Sequence, residues 1–551
     1  MSDPGAAFRW DDVLAALGWT GRATVNLGET LVDRFAGETR PALRWIGAAG
    51  ARREVTPTEL KRDTDRFAAW LRGIGVRPGD RVAVVMPRLV ETVVVLLGTW
   101  KAGAVYVPIF AGFGADAIRH RINDSGARVV CTHASLRDKI EGPFPAAPVI
   151  LVVGAPSAPG LVVSGSRPGL TVGAPSAPGD VGYDDALRGQ PDGGALVPVA
   201  RDDPAALIYT SGSTGPPKGV RIATNLAAAI WPAMRYGADL RRDDVFWPTG
   251  DPGWGYGLVC YTVALAMGVP ITIWEALPTP ENTLAFLQAE RITNLATVPT
   301  LMRGIMALGA DRVRAFDIPM RRVSCCGEPL NAEVVRFFRT VWGVTPMDQF
   351  GSSEQGLPAG NRADAPDVVR PGSMGRALPG HRVDIIDETG ATLPPDTVGL
   401  IGSAPHAEAT YALGYWKDGP ELRRGAWIVT GDLGRRDQDG YLWFEGRNDD
   451  VIKSAGYRIG PFEVESAILH HPAVAEAAVV GKPDPLRGQI VKAFVVLKPG
   501  EQARDGLADE IVATVRKLVG AHQYPREIAF VPDLPKTTTG KIQRFKLREQ
   551  A

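Results

Sequence analysis

The chain has 551 residues, 45% of them apolar and 22% charged, with Lys+Arg and Asp+Glu equal at 61 each. Such a length exceeds one ordinary core and points to three or four domains or subdomains. Balanced charge leaves no global field to attract nucleic acid or a membrane surface, so any phosphate affinity has to be built locally.

No apolar run approaches the roughly 20 residues of a spanning helix; Thr92–Gly98 is short and flanked by Glu91 and Lys101. Asp11 and Asp12 near the start are unlike a signal or transit peptide. The expectation is a cytoplasmic enzyme, monomer or homodimer, with no nucleic-acid partner. Cys131, Cys260, Cys325 and Cys326 lack CxxC spacing and are expected to be small buried hydrophobes. The absence of GxSxG removes the usual serine-hydrolase elbow.

Thr56-Pro-Thr-Glu59 is a capping box with proline at the first helical position. It opens a helix whose Leu60, Phe67, Trp70, Leu71 and Ile74 share one face, and Gly73 and Gly75 end it. Arg81–Met86 follows as a buried strand, then an apolar helix from Glu91, then strands at Ala104–Pro108 and Ala127–Thr132. This alternation implies an α/β chain of parallel sheets with helices on both faces. Val153–Gly160 recurs as Val172–Gly179, rich in Pro, Gly and Ser. Two copies are too few for a solenoid, so a flexible surface loop is expected over about 153–180.

Ala205–Tyr209 reads as a buried strand that delivers Tyr209-Thr-Ser-Gly-Ser-Thr-Gly-Pro-Pro-Lys-Gly-Val220. Glycine brings main-chain N–H groups close to an anion; Ser211, Ser213 and Thr214 add O–H donors, and Lys218 adds a mobile positive charge. The GxxxxGK[ST] pattern fails, because Pro217 precedes the lysine and Gly219 follows it. The segment is a different phosphate loop or a flexible surface turn.

After Arg447 the pattern restarts: a helix at Phe462–Leu469, strands at Ala477–Gly481 and Lys492–Leu497, a helix over about 505–519 and a strand at Glu527–Val531. Residues 1–446 and 447–551 are therefore expected as separate domains, with Gly446–Asp450 as hinge. His470-His471 falls where a helix should end before Pro472 and reads as a terminus, not a metal site.

Further chemistry-bearing segments are Thr249–Gly257, Gln349–Gly356, Thr430–Leu433, Gly446–Gly460 and Pro535–Arg544. Singly they have plain explanations: Asp432 in an Asx-turn, Glu354 capping a helix, Arg447 in a surface cluster, Lys541 a solvated lysine. Together, in this order, they closely resemble the AMP-forming acyl-CoA synthetases of the adenylate-forming superfamily. The resemblance runs from about Thr56 to Arg548. Ser454–Glu465 is similar to medium-chain members, while the N-terminal part looks nearer the acetyl-CoA synthetase branch.

The resemblance implies a large N-terminal domain of doubly wound α/β subdomains plus a small β-barrel-like subdomain, and a small mobile C-terminal α/β domain. It implies ATP-dependent activation of a short- to medium-chain carboxylic acid to acyl-AMP with release of pyrophosphate, then transfer to coenzyme A. Loading of a separate carrier protein is the alternative, and a nucleotide sensor without chemistry a third. Thr210, Ser211, Gly212, Ser213, Thr214, Gly215 and Lys218 would close over the β- and γ-phosphates. Gly327, Glu328 and Pro329, with Asp348, Gln349, Phe350, Gly351 and Ser352, would frame the adenine. Ser353 would touch the α-phosphate, Glu354 would hold Mg²⁺, and Asp432 with Arg447 would meet the ribose. Lys541 would sit between the carboxylate and the α-phosphate, making Lys541, Glu354 and Ser353 the catalytic set. Ala455, Gly456, Tyr457, Arg458 and Arg487 match coenzyme A contacts, with Ala455 where relatives often carry serine. Asp449 is the implied hinge residue. Trp254, Gly255, Tyr256 and Gly351 would line the acyl pocket. Acetate-restricted relatives carry tryptophan at the Gly351 position, so an indole-sized void is expected there. It would admit acids beyond acetate, of about C3 to C8, each buried methylene contributing about 0.8 kcal/mol, with a branched or aromatic acid as the alternative.

Overall fold

Thr56 and Glu59 form the reciprocal capping box: the Glu59 N–H donates to Thr56 Oγ1 (3.2 Å) and the Thr56 N–H to Glu59 Oε2 (2.8 Å). The computed structural model describes residues 8–154, 177, 179–194, 196–210, 217–417, 421–448, 450–454, 457–485, 487–519, 524–536 and 542–551, with backbone alone at Lys453, Tyr457 and Arg458. The Pro/Gly/Ser repeat falls almost wholly outside them. Helix Pro57–Gly73 packs its buried Leu60, Phe67 and Leu71 face toward helix Val90–Lys101, every residue of which is buried. A helix apolar all round belongs inside a core. Its last residue, Lys101, therefore brings an ammonium into the interior, and Asp33 (2.5 Å) and Asp65 (2.6 Å) neutralise it.

Two large sheets share one core. An eight-stranded sheet runs Ala412–Tyr415, Lys218–Ala223, Pro204–Thr210, Val105–Pro108, Arg81–Val85, Val129–His133, Val149–Val153, Val181–Gly182. A nine-stranded sheet runs Arg376–Ala377, Gly356–Gly360, Met347–Ser352, Arg322–Cys326, Asn294–Thr297, Phe246–Pro248, Ile271–Trp274, Leu43–Ile46, Arg52–Val55. Val82 and Val84 from the first and Phe246 and Ile271 from the second meet residues of helices Val90–Lys101 and Gly255–Ala266 in a single cluster. The expected parallel pairing holds through the middle of both sheets and to the Val181–Gly182 edge of the first, but the other margins are antiparallel. Pro204–Thr210 and Met347–Ser352 are each the last parallel strand before such a margin. In open α/β sheets the crevice beyond the carboxyl ends of parallel strands is where ligands bind.

A third, antiparallel sheet joins Arg382–Ile386, Gly399–Ala404, Trp427–Arg436 and Arg423–Arg424, with Leu442–Arg447 paired to Trp427–Arg436. Five residues later Ile452–Ser454 begins a fourth sheet, completed by Tyr457–Ile459, Val474–Asp484, Gly488–Leu497 and Glu527–Phe530. Val464, Ile468, Val479, Val495 and Ile511 give that unit its own core. Helix Pro461–Ile468 ends just before His470-His471, as expected of a terminus. All four cysteines are buried thiols. Among the described residues no group of three or more His, Cys, Asp or Glu could hold a metal, and no helix is long and apolar enough to cross a membrane.

Candidate active site

A cleft of about 710 Å³ opens where the carboxyl ends of Pro204–Thr210, Arg322–Cys326 and Met347–Ser352 meet the third sheet and the C-terminal unit. Every described residue of the nucleotide set lines it. Thr210 and Lys218 face each other across an antiparallel hairpin. The intervening Ser211–Pro216 segment, which holds Ser211, Gly212, Ser213, Thr214 and Gly215 of the expected phosphate loop, lies outside the described residues, as do Lys541, Asp449, Ala455 and Gly456. Ile542, Gln543 and Arg544, the chain that follows Lys541, line the cleft.

Gly327, Glu328 and Pro329 leave the strand Arg322–Cys326 with Gly327 at φ +96°, a conformation that favours glycine. The Glu328 carboxylate accepts from Arg303 Nη2 (2.6 Å) and bonds the Thr300 hydroxyl (2.7 Å). Asp348, only 4% exposed, sits beneath; burial pushes its carboxyl up to about 7 against the N–H groups of Leu330 and Gln349. Gln349 is anchored by its amide on the Ala233 carbonyl (2.9 Å), and Phe350 packs among Ala359, Met374 and Leu442.

Ser352 Oγ accepts the N–H groups of Glu354 (3.2 Å) and Gln355 (3.1 Å), shaping the turn that presents Ser353 and Glu354. No helix starts there, so the helix-capping explanation of Glu354 does not apply. Burial raises the Glu354 carboxyl, Asp432 adds repulsion, and the Tyr415 hydroxyl donates to it (3.2 Å). A desolvated carboxylate beside hydroxyl oxygens is a hard donor set that fits Mg²⁺, whose other ligands come from phosphate oxygens and water.

Asp432 lies mid-strand in Trp427–Arg436, opposite Arg447, and not in an Asx-turn. Its Oδ2 accepts from the Thr430 hydroxyl (2.6 Å), while Arg447 Nη1 stands 3.6 Å from Oδ1 and Nη2 donates to the Thr430 carbonyl (3.3 Å). A carboxylate held this way can accept a pair of hydroxyls.

The acyl-pocket expectation needs correcting at Gly351. A Cβ there would fall 1.9 Å from the Gly356 carbonyl oxygen and 2.9 Å from Leu357 Cδ2. The two hairpin strands touch at this point, so there is no indole-sized void. Gly255, at the first turn of Gly255–Ala266, does face the site: a Cβ on it would lie 3.7 Å from Ser353 Oγ. Trp254 packs on Phe110 and Phe113 (5.4 and 5.6 Å between ring centres), and neither it nor Tyr256 lines the cleft. Of the coenzyme A set, Arg487 alone has a described side chain. Arg487 is exposed in the turn before Gly488, whose backbone pairs with Ser454. The side chains of Tyr457 and Arg458 lie outside the described set.

Sequence reasoning missed Arg303 and Tyr415, which hold Glu328 and Glu354. Arg303 sits beside buried Met302 on helix Pro299–Ala307, and Tyr415 ends an edge strand that comes from far along the chain. Only the fold reveals their partners.

The Asp348 carboxyl makes a testable contribution to stability. Its folded value of about 7 lies above an unfolded value of about 3.9, so the folded chain retains a proton that the unfolded chain loses. Stability from this group is present at low pH, falls between about pH 4 and 7, and levels off above. Melting temperatures of the nucleotide-free protein over about pH 5 to 8 should show this decline, and Asp348→Asn should flatten it. Glu445, also raised to about 7 by burial and by Glu463, will leave a residual slope.

A cleft with the Thr210–Lys218 pair on one wall, a buried carboxylate on another and residues of the C-terminal unit on a third is the frame in which the comparisons with known proteins fall. The AMP-binding enzyme profile matches residues 33–416, and the AMP-binding enzyme C-terminal domain matches residues 463–541. An acetyl-coenzyme A synthetase from Bacillus subtilis (strain 168) is 34% identical, over 98% of this chain and 93% of its own. A Brucella canis acyl-CoA synthetase structure is 38% identical with a TM-score of 0.76, covering 98% of this chain and 97% of its own. An anthranilate CoA ligase solved with anthranoyl-AMP is 28% identical with a TM-score of 0.85, covering 96% of this chain and 98% of its own. The chain belongs to the AMP-binding enzyme family. It is an AMP-forming acid–thiol ligase that uses ATP and coenzyme A as co-substrates, with Mg²⁺.

Proposed function

We propose that the acid is a short- to medium-chain carboxylic acid, and that the unit 447–551 turns about Asp449 to serve first adenylation and then thioester formation. The observation that carries this reading is the convergence of Thr210, Lys218, Ser353, Glu354, Asp432, Arg447 and Ile542–Arg544 on one cleft. A carboxylate is a poor electrophile, and attack on the α-phosphorus of ATP gives it AMP as a leaving group. Lys218 and the hydroxyls of its hairpin hold the β- and γ-phosphates, and Asp432 orients the ribose. Ser353 and Lys541 neutralise charge that grows on the α-phosphate oxygens in the transition state. Glu354 would hold Mg²⁺, which would supply further polarisation of the phosphate oxygens.

Lys541 is assigned by its place in the chain, next to the cleft-lining Ile542. The coenzyme A residues Ala455, Gly456, Tyr457, Arg458 and Arg487 belong to the second step. The strands that carry them pair at Ser454–Gly488, and the rotation would bring them to the reaction centre for that step. With no void at Gly351, the proposal on acid length rests on the acetyl-coenzyme A synthetase and anthranilate ligase relatives, whose named acids are both small. Pyrophosphate release from acetate, butyrate, hexanoate, benzoate and palmitate, followed by coenzyme A–dependent AMP release, tests it. The expected result is turnover with one or more of the first four. Turnover with palmitate alone, or AMP release indifferent to coenzyme A, overturns the reading.

A further inference from the structure

Asn331 is the N-cap of helix Ala332–Trp342, a few residues beyond Gly327-Glu328-Pro329. An N-cap asparagine ordinarily turns its side-chain oxygen onto a first-turn N–H of its own helix. Here the side chain makes no cap bond. Its Nδ2 instead donates to Ser466 Oγ (3.0 Å) on helix Pro461–Ile468 of the C-terminal unit, with Asn331 only 3% exposed. The same two segments meet again nearby: His470 Nε2 lies 2.6 Å from Glu333 Oε1, and its Nδ1 faces the Ser466 carbonyl at 2.9 Å. Arg336 bonds Glu333 from its own helix and stands 3.5 Å from His470. Ser466 and His470 are four residues apart, hence on one face of their helical turn. The small unit is thus docked on a helix whose cap has been turned away from it.

We propose that Asn331 is a positioning residue with two settings: it donates to Ser466 while the C-terminal unit is docked, and turns back to cap its own helix when that unit leaves. This rests on the rotation reading above. A neutral hydrogen bond and an N-cap are of similar strength. Exchanging one for the other keeps the docked and released arrangements close in free energy, which a two-step reaction that visits both requires. A strong one-sided bond would stall the chain in one of them.

Ser466→Ala removes the docked partner and leaves the cap available. Asn331→Ser keeps a side-chain cap of similar quality and is one bond too short to reach Ser466. Both should shift the ratio of adenylation to thioester formation several-fold toward the second step, with Ser466→Thr, which keeps the hydroxyl, restoring it. Domain arrangement is read directly by energy transfer between dyes on Leu277→Cys and Leu518→Cys, positions 70% and 49% exposed, the native thiols being buried. Wild type should show two distances, one with ATP and acid and another with acyl-AMP and coenzyme A, and the variants should favour the second. A single wild-type distance under both conditions overturns the rotation reading itself. Two wild-type distances with Ser466→Ala and Asn331→Ser leaving populations and ratio unchanged, or slowing both half-reactions equally, overturn the role of Asn331 alone.

Discussion

Lys541→Ala is expected to cut adenylate formation by a factor of about 10² to 10³, the usual cost of removing one fixed stabiliser of transition-state charge. Thioester formation from supplied acyl-AMP should continue at close to its normal rate. The argument is positional and electrostatic. Pro535–Lys536 and Ile542–Gln543 are tied together, by a bridge between Lys536 and Ile542 and by the Gln543 N–H on the Pro535 carbonyl (2.8 Å). Arg544 then clamps Glu465 through both carboxylate oxygens (2.7 and 2.8 Å). This stem borders the cleft, and the proposed rotation would carry it away before the second step. A lysine carried on it serves the first step and not the second. Pyrophosphate exchange and thioester formation, measured separately, check this; equal loss in both would remove Lys541 from its assigned role.

Gly351→Ala should be nearly as damaging, for a reason of space. Strands Met347–Ser352 and Gly356–Gly360 are irregularly paired between Phe350 and Ser352, and Gly356 adopts φ +70°. Both peculiarities bring the Gly356 carbonyl against the Cα of residue 351. One added methyl would overlap that oxygen at 1.9 Å, and the obstacle is backbone, which cannot rotate aside. The hairpin would have to open, at a cost of about 1–3 kcal/mol or more, and it carries Ser353 and Glu354. A lower melting temperature together with at least a tenfold loss of adenylation is expected. An alanine variant with wild-type melting and activity would show that the strands separate freely.

Much of this architecture is legible in the amino-acid sequence. The capping box at Thr56, the strand leading to Thr210 and the helices and strands after Arg447 are local signals, and local signals survive folding. The residues that line the cleft are legible because short stretches with odd chemistry fall in a recognisable order. Two kinds of fact are not. Arg303 and Tyr415 matter only through carboxylates 25 and 61 residues away. A void at Gly351 follows from a missing side chain only if the neighbouring backbone stays back, and here it closes in. The antiparallel margins are also hidden, since strand periodicity carries no direction.

The order in which the chain visits its sheets has a consequence for how the protein is made. Residues 43–55 belong to the nine-stranded sheet, 81–223 to the eight-stranded one, 246–377 return to the first, and 412–415 close the second. Neither sheet is complete until more than 370 residues have left the ribosome, and the eight-stranded one waits for Tyr415. Long-range parallel pairing of this kind is slow, and unpaired edges stay open meanwhile. The last unit, by contrast, is drawn from one uninterrupted stretch and closes its own core without waiting for distant strands.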